Sequence, residues 1–333
     1  MSDQYMLQKE EPMILNILAI MLGLALLIIG ADLLVKGASN IAKKFHIPEI
    51  LIGLSIVAIG TSMPELMITV TSAQKGAMDL IVGNSIGSDL CNLLFILGLM
   101  AIIRPIPINK QTKKIHIPMA FLSTVIIFVM SFGLLGSEPN VLNRGEGILL
   151  LILFSLYILY PIVIEIQDIK KAYQERKNKK EEKKINALLS VLFMGIGFVL
   201  LKIGGDFVVD NAVEIAQYYN VSQRVIGLTI VAMGTALPEL ITSIVAVVTK
   251  ETDIAVGNLI GSSVLNSFLI LGLGAVITDL AVSGEFVQNI ILLIATTALL
   301  WLFMYLPKKD TITRTKGVIL ISIFILYLVK LFI

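Results

Sequence analysis

Long apolar runs alternate with short polar segments along the whole chain. A helix that crosses a bilayer needs about 20 consecutive apolar residues. The pattern therefore predicts ten transmembrane helices, at residues 13–35, 48–73, 79–103, 115–136, 146–168, 187–209, 222–248, 253–278, 286–306 and 315–333. This is the pattern of an all-α integral membrane protein.

A charged segment divides the ten predicted helices into five and five. We predict a first repeat over 1–169, a solvated cytoplasmic loop over 170–186 and a second repeat over 187–333. The loop contains the sequence KKAYQERKNKKEEKK, which is too short to hold a regulatory domain. No protein partner is implied by it.

The two halves share a duplicated motif. The segment GTSMPELMITVTSAQKGAMDLIVGNSIGSDLCNLLFILG occupies 60–98, and GTALPELITSIVAVVTKETDIAVGNLIGSSVLNSFLILG occupies 234–272, without a gap. Including flanking residues, we call 58–98 the first motif and 232–272 the second motif. Every matched position is offset by 174 residues, so that Glu65 pairs with Glu239. A charge inside an apolar run costs several kcal/mol and by default marks a functional site.

The distribution of charge predicts that the two halves have opposite orientations. Five helices per repeat would invert the second repeat relative to the first. With both termini outside, the predicted cytoplasmic segments hold 20 of the 26 Lys and Arg residues, as the positive-inside rule requires. Lys36 in the first half becomes Asp210 in the second, which follows the same rule. Inverted repeats are typical of secondary transporters, with binding sites on discontinuous helices near the midplane.

Composition excludes several other classes. Hydrophobic residues make up 56% of the chain and charged residues 15%, against about 25% charged in soluble domains. The net charge is +2 and the basic residues lie in short loops, so nucleic-acid binding is not expected. Cys91 is the only cysteine, which excludes an intrachain disulfide, and two histidines are too few for a histidine metal site. We expect no cofactor and a lipid bilayer as the surroundings.

Proline and glycine predict a helix break in each motif. Pro64 has no N–H and crowds the preceding turn, and Gly60 adds backbone freedom. Gly234 and Pro238 repeat the arrangement. Carbonyl groups freed at such a break need protein, water or a cation, because lipid supplies no donor.

Polar side chains follow helical spacing around each predicted break. The first motif offers Thr61, Ser62 and Glu65, then Asn84, Ser88 and Asn92 at intervals of four. The second motif repeats the latter stripe as Asn258, Ser262 and Asn266. Hard cations such as Na⁺ and Ca²⁺ take carboxylate, carbonyl and hydroxyl oxygens. We therefore predict one shared cavity lined by oxygen atoms.

Structural roles remain open for some of these residues. The GTSxPE segment is also compatible with a kinked packing helix that carries a neutral glutamate. Glycines and serines let membrane helices approach closely, so a packing role is predicted for Gly83, Gly87, Gly257 and Gly261. Asn84 and Asn258 are either ligands or interhelical hydrogen-bond donors. Asp89 has no acidic counterpart, since Ser263 stands at the equivalent position, and is predicted to face an entrance or a loop.

The paired motifs resemble the two repeats of the cation/Ca²⁺ exchanger superfamily, in particular its prokaryotic sodium/calcium exchanger-like branch. The resemblance covers the whole chain and implies a cation antiporter of the cell membrane, not an enzyme. It implies that Glu65 and Glu239 are the central carboxylates and that oxygen atoms of Thr61 and Thr235 bind the metal ion beside them. Further ion-binding positions implied by the resemblance are Ala58, Ala232, Ser62, Ser88, Ser262, Asn92 and Asn266.

Two positions depart from the pattern of that family. Asn266 stands where many sodium/calcium exchangers carry Asp, and Ala236 stands where Ser is usual. The sequence therefore leaves the number of Na⁺ ions per Ca²⁺ open. Alternatives to Na⁺/Ca²⁺ exchange are H⁺ as the coupling ion, another divalent cation, or a cation channel. An intramembrane enzyme is disfavoured because no nucleophile or catalytic metal cluster has suitable spacing.

Overall fold

The structure is a computed structural model that describes residues 2–45, 47–132, 140–177, 186–219, 232–306 and 310–332. The helices are α1 (Ser2–Phe45), α2 (Glu49–Thr61), α3 (Met63–Gln74), α4 (Met78–Ile103), α5 (Thr112–Ser131), α6 (Arg144–Lys177), α7 (Ala187–Tyr218), α8 (Ala232–Thr235), α9 (Leu237–Val248), α10 (Thr252–Ile277), α11 (Gly284–Phe303) and α12 (Arg314–Phe332). Four two-residue strands are β1 (Ile106–Pro107), β2 (Val141–Leu142), β3 (Leu280–Ala281) and β4 (Thr311–Ile312).

Within the described ranges, six helices are long and apolar enough to cross a membrane. They are α1 from Met13 onward, α4, α5, α7, α10 and α11. Helices α2 and α3 meet the same criterion only together, and they bend by 47° at the break between them. The structure is thus mostly helical and apolar, as expected of a membrane protein, whereas the count of ten spans stays a prediction.

Several helices are longer than the apolar pattern predicts. Helix α1 continues to Phe45, so most of the predicted loop 36–47 is helical. Helix α6 ends at Lys177, inside the predicted loop 170–186, and α7 ends at Tyr218. Hydrophobicity marks only the part of a helix that lies in lipid, and a helix without a Pro or Gly stop continues beyond it. Residues 178–185 of the predicted loop and 222–231 of the predicted seventh helix lie outside the described residues.

Glycine contacts join the two halves in reciprocal pairs. Helix α1 packs along α7, and a Cβ added to Gly30 would lie 2.9 Å from the carbonyl oxygen of Gly197. At the equivalent positions of the repeat, a Cβ on Gly204 would lie 2.7 Å from the carbonyl oxygen of Gly23. Gly30 corresponds to Gly204 and Gly23 to Gly197 by the same offset of 174 residues. The α1–α7 interface therefore maps onto itself when the two halves are exchanged.

The same exchange relates the short strands and the outer helices. Strand β1 pairs with β4 through Ile106 and Ile312, and β2 pairs with β3 through Leu142 and Leu280. Helix α4 packs on α12, and α10 packs on α6. Each of these pairs joins one element of the first half to one of the second. The halves are thus interleaved around a common core.

A charged cluster joins the end of α1 to the duplicated motifs. The hydroxyl of Ser39 donates to Glu49 at 3.1 Å or to Glu251 at 2.9 Å. The ammonium of Lys43 lies 2.9 Å from Glu251 and 3.5 Å from Glu49. Glu251 lies between α9 and α10. We call these four residues the α1 cluster.

Candidate ion-binding site

Each duplicated motif contains a break between two helices. In the first half α2 ends at Thr61 and α3 begins at Met63, so Ser62 lies in the break and Pro64 in the first turn of α3. In the second half α8 runs from Ala232 to Thr235 and α9 begins at Leu237, with Pro238 in its first turn. Proline is accommodated there because the first N–H groups of a helix have no partner within it. The breaks place polar side chains from both halves in the core.

Two carboxylates lie directly after the breaks. Glu65 is in the first turn of α3 and Glu239 in the first turn of α9, and each is only 1% exposed. A helix N-terminus favours a negative charge. Ser62, three residues before Glu65, contacts the Glu239 carboxylate, so the two negative charges lie near each other and repel. A positive ion between them would relieve that repulsion.

Hydroxyl groups reach one oxygen of each carboxylate. The hydroxyl of Ser62 lies 2.9 Å from Glu239 Oε1 and 3.0 Å from the hydroxyl of Ser262. The hydroxyl of Ser88 lies 3.3 Å from Glu65 Oε1. Ser62 of the first half therefore contacts the carboxylate of the second half. Ala236, at the equivalent position, has no hydroxyl with which to do the same for Glu65.

The second oxygen of each carboxylate has no donor among the residues that the structure describes. Within those residues, Glu65 Oε2 and Glu239 Oε2 are buried without a hydrogen-bond partner, and so are the amide oxygens of Asn92 and Asn266. Buried acceptors without donors are costly, and carboxylates more so. A cation satisfies several acceptors at once, whereas an N–H or O–H satisfies one. Oxygen atoms of this kind are the ligands of Na⁺ and Ca²⁺.

Thr61 and Asn258 connect the break in α2 to helix α10. The Thr61 hydroxyl lies 3.0 Å from Asn258 Oδ1 and 3.3 Å from the carbonyl oxygen of Ala58. The Asn258 amide nitrogen donates to Ser243 at 3.2 Å. Of the two roles open for Asn258, these contacts favour the interhelical hydrogen-bonding role. Asn84, by contrast, is half-buried, and its amide nitrogen has no partner.

Both motifs contain a short stretch of π-helix at their second asparagine. These stretches are Cys91–Ile96 in α4 and Asn266–Ile270 in α10. A π-helical turn interrupts the regular backbone ladder and is frequent at functional sites. Asn92 and Asn266 are each 1% exposed. The sequence pattern gave no sign of this local widening.

Asp89 is buried, which corrects the predicted position at an entrance or a loop. It is 1% exposed in the middle of α4, and its Oδ1 accepts from the Asn266 amide nitrogen at 3.0 Å. The absence of an acidic counterpart in the repeat was the wrong guide. The signal that identifies Asp89 is a carboxylate within an apolar run of membrane-spanning length.

Two of the motif glycines lie against the backbone of α2. A Cβ on Gly257 would lie 2.6 Å from the carbonyl oxygen of Ile50, and one on Gly261 would lie 2.6 Å from that of Leu54. These two glycines therefore permit close packing of α10 on α2. For Gly83 and Gly87, the equivalent packing partners would be residues 224 and 228, which lie outside the described residues. A packing role for Gly83 and Gly87 therefore stays a prediction.

A cavity of about 530 Å³ lies against the two breaks. The breaks contribute Gly60, Thr61, Pro64, Gly234, Thr235 and Pro238 to its wall. Helix α7 forms the opposite wall with Phe198, which faces Gly60, and Val209, which faces Gly234. Lys202 and Asp206 also line it and form an ion pair of 2.7 Å. The cavity brings polar and charged groups to the threonines that flank the buried carboxylates.

The chain matches the family model described as "Sodium/calcium exchanger protein" over residues 15–163 and 189–333. These two segments cover most of the chain. It belongs to the sodium/calcium exchanger family. Members of this family are membrane transporters, so this exchanger is a transporter for cations by family membership.

Relatives match over nearly their whole length. The exchanger is 34% identical to the putative antiporter CaxA of Alkalimonas amylolytica, over 96% of this chain and 99% of CaxA. It is 29% identical to the sodium/calcium exchanger MaX1 of Methanosarcina acetivorans, over 95% of this chain and 98% of MaX1. A solved structure of the sodium-calcium exchanger NCX_Mj, soaked with zero Na⁺ and Ca²⁺, matches with a TM-score of 0.81 and 30% identity, over 96% of this chain and 99% of that chain.

Proposed function

We propose that the protein exchanges Na⁺ for Ca²⁺ across the cell membrane, with Glu65 and Glu239 as the central ion ligands. One observation carries the proposal: each half contributes one buried carboxylate with an acceptor oxygen that meets no donor within the described part of the chain. The amide oxygens of Asn92 and Asn266 are in the same condition. One Ca²⁺, or two Na⁺, would neutralise the two glutamates.

Competition for the two carboxylates explains why transport would be an exchange. A buried charge without a counterion is strongly unfavourable. The empty site is therefore the least favourable state in which to close the protein around its core. A Ca²⁺ ion or monovalent ions must replace each other before the site is exposed to the other side of the membrane.

The proposed architecture is ten helices in two inverted five-helix repeats, with both termini outside and the central loop in the cytoplasm. The reciprocal contacts of Gly30 with Gly197 and of Gly204 with Gly23 support a two-fold relation between the halves. The strand pairs β1–β4 and β2–β3 support it as well. In transporters of this design, the halves rock around a central site and give alternating access.

The identity of the ions is inferred from the relatives. MaX1 is named a sodium/calcium exchanger, and structures of NCX_Mj were obtained with Na⁺, Ca²⁺ and Sr²⁺. The unpaired oxygen atoms of Glu65, Glu239, Asn92 and Asn266 agree with such hard cations. Further ligands in the proposal are the hydroxyls of Ser62, Ser88 and Ser262, oxygen atoms of Thr61 and Thr235, and the carbonyls of Ala58 and Ala232.

Proteoliposomes loaded with Na⁺ test the proposal through uptake of ⁴⁵Ca²⁺. We expect Glu65→Gln and Glu239→Gln each to abolish uptake, because each removes one of the two charges that a divalent ion requires. Glu285→Gln is the matched control, since Glu285 also lies in the first turn of a helix but is exposed. Normal uptake by either site variant would refute the assignment.

H⁺ as coupling ion is the second candidate, and Ala236 is the observation that favours it. Without a hydroxyl at this position, Glu65 lacks the counterpart of the contact that Ser62 makes with Glu239. Uptake of ⁴⁵Ca²⁺ driven by a pH gradient without Na⁺ would establish the H⁺-coupled alternative. Unitary currents in a planar bilayer would instead identify a channel.

A further inference from the structure

Asp89 is a third buried acid next to the proposed site, and the mechanism above gives it no role. It follows Ser88 in α4, and the equivalent position of the second half is Ser263. No group of three or more acidic, histidine or cysteine side chains converges in the part of the chain that the structure describes. Asp89 therefore does not join the two glutamates as a direct ligand. Its effect must pass through the groups that it contacts.

The contacts of Asp89 lie at the start of the π-helical stretch in the other half. The Asn266 amide nitrogen donates to Asp89 Oδ1 at 3.0 Å, and the Ser267 hydroxyl lies 3.4 Å from Asp89 Oδ2. Asp89 and Asn266 are each 1% exposed, as is Ser267. The acid thus receives one hydrogen bond on each of its oxygens from two consecutive residues.

This arrangement fixes the orientation of the Asn266 amide. A carboxylate only accepts hydrogen bonds, so the NH₂ end of the amide must face Asp89. The carbonyl end, Oδ1, then faces away from Asp89, and it is buried without a donor. A rotated amide would place two acceptor oxygens against each other. Asp89 therefore keeps the oxygen of Asn266 free for another partner.

Asp89 also acts on the charge balance of the site. Asp89 directly follows Ser88, whose hydroxyl lies 3.3 Å from Glu65 Oε1. Within the two motifs, which the structure describes throughout, the buried carboxylates are those of Glu65, Asp89 and Glu239. A region with three negative charges attracts an additional monovalent cation more strongly than a region with two.

We propose that Asp89 is a positioning and specificity-determining residue of the ion site, which orients the Asn266 oxygen as a ligand and supplies a third negative charge. The inference rests on the proposed exchange at Glu65 and Glu239. Many sodium/calcium exchangers carry an acid at position 266, and in this chain Asp89, which contacts Asn266 from a helix of the opposite half, supplies that acid instead. A third Na⁺, beyond the two that Glu65 and Glu239 neutralise, then has a countercharge.

The test compares Asp89→Asn with Asp79→Asn in proteoliposomes. Both variants make the same substitution in α4, but Asp79 is exposed in its first turn. Three quantities are measured: the Na⁺ and the Ca²⁺ concentrations that give half-maximal exchange, and the number of ²²Na⁺ ions moved per ⁴⁵Ca²⁺. For Asp89→Asn we expect at least a tenfold higher half-maximal Na⁺ concentration, a smaller change for Ca²⁺, and a lower Na⁺ count. Asp79→Asn is expected to match the wild type.

A double variant separates positioning from a purely structural role. Asp89→Asn with Asn266→Asp keeps an amide against a carboxylate and returns the third charge. We expect it to recover the wild-type Na⁺ count. Wild-type values for Asp89→Asn, together with an inactive Glu239→Gln, would overturn this inference and leave the proposed function intact. Loss of transport with a lowered unfolding temperature and no recovery in the double variant would also overturn it. An active Glu239→Gln would instead overturn the proposed function.

Discussion

Gly195 and Gly261 both lie inside long helices but have different neighbours. A Cβ on Gly261 would lie 2.6 Å from the carbonyl oxygen of Leu54 and 2.7 Å from its Cα. Both atoms belong to the backbone of α2, which cannot rotate aside as a side chain can. Gly195 in α7 is exposed, and among the residues that the structure describes no heavy atom lies within 4 Å of a Cβ added there. Alanine should therefore have opposite effects at the two positions.

The size of the difference follows from packing and helix propensity. Ordinary contact begins near 3.4 Å, so α10 and α2 would have to separate by several tenths of an ångström to accommodate a methyl group in place of the Gly261 hydrogen. Overpacking of this kind costs about 1–3 kcal/mol. Replacing an unconstrained helical glycine by alanine stabilises by up to about 1 kcal/mol. We expect Gly261→Ala to be less stable than Gly195→Ala by about 1–4 kcal/mol.

Thermal unfolding of purified protein in detergent, followed by size-exclusion chromatography, measures this difference. Gly261→Ala should lose its monodisperse peak at a temperature several degrees below the wild type, and Gly195→Ala at or above the wild-type temperature. Equal loss in both variants would show that glycine serves the helix backbone itself at both positions. That result would refute the argument from the contact between α2 and α10.

Two further predictions concern single hydrogen-bonding side chains. Ser62→Ala removes the hydroxyl that contacts Glu239. Because a hydrogen bond to a charged group contributes about 1.5–3 kcal/mol, the Ca²⁺ concentration that gives half-maximal ⁴⁵Ca²⁺ uptake should rise about tenfold or more. An unchanged value would exclude Ser62 from the site. Lys316→Met removes the buried ammonium that donates to the carbonyl oxygens of Phe303 and Thr311, so it should lower the unfolding temperature. Lys330→Met, on the exposed end of α12, is the control and should leave the unfolding temperature unchanged. Equal unfolding temperatures for the two lysine variants would contradict this explanation.

The apolar pattern predicted where helices exist better than where they end. Apolar runs arise because lipid excludes polar side chains, so the pattern reports the bilayer and not the helix itself. Helix α1 shows the difference, since its last residues to Phe45 are partly polar and yet helical. There Lys36 pairs with Asp32 one turn earlier at 2.6 Å, and Lys43 reaches Glu251 from the second half. The latter contact depends on the fold and has no trace in the local sequence.

For the candidate site, duplication was the informative signal and also a misleading one. It predicted Glu65 and Glu239 as site residues, and the structure buries both carboxylates in the core. Duplication does not predict Asp89, because only the first copy carries an acid at that position. A site between two unequal halves can take a group from one half alone. The contact of Asp89 with Asn266 joins residues 177 positions apart and becomes visible only in three dimensions.

The α1 cluster shows that a duplicated sequence need not have duplicated energetics. Burial acts to raise the pKa of Glu251, but hydrogen bonds from Glu49, Lys43 and Ser39 outweigh it, so its pKa lies below the ordinary value. The positions equivalent to Ser39, Lys43, Glu49 and Glu251 are Val213, Gln217, Gln223 and Ala77. None of these can form an ion pair. In the proposed transport cycle the two halves exchange roles between the two states that open to opposite sides of the membrane. Identical repeats would make these two states equal in energy. The ion pairs of Lys43 have no counterpart in the other half, so they would give the proposed cycle a preferred resting side.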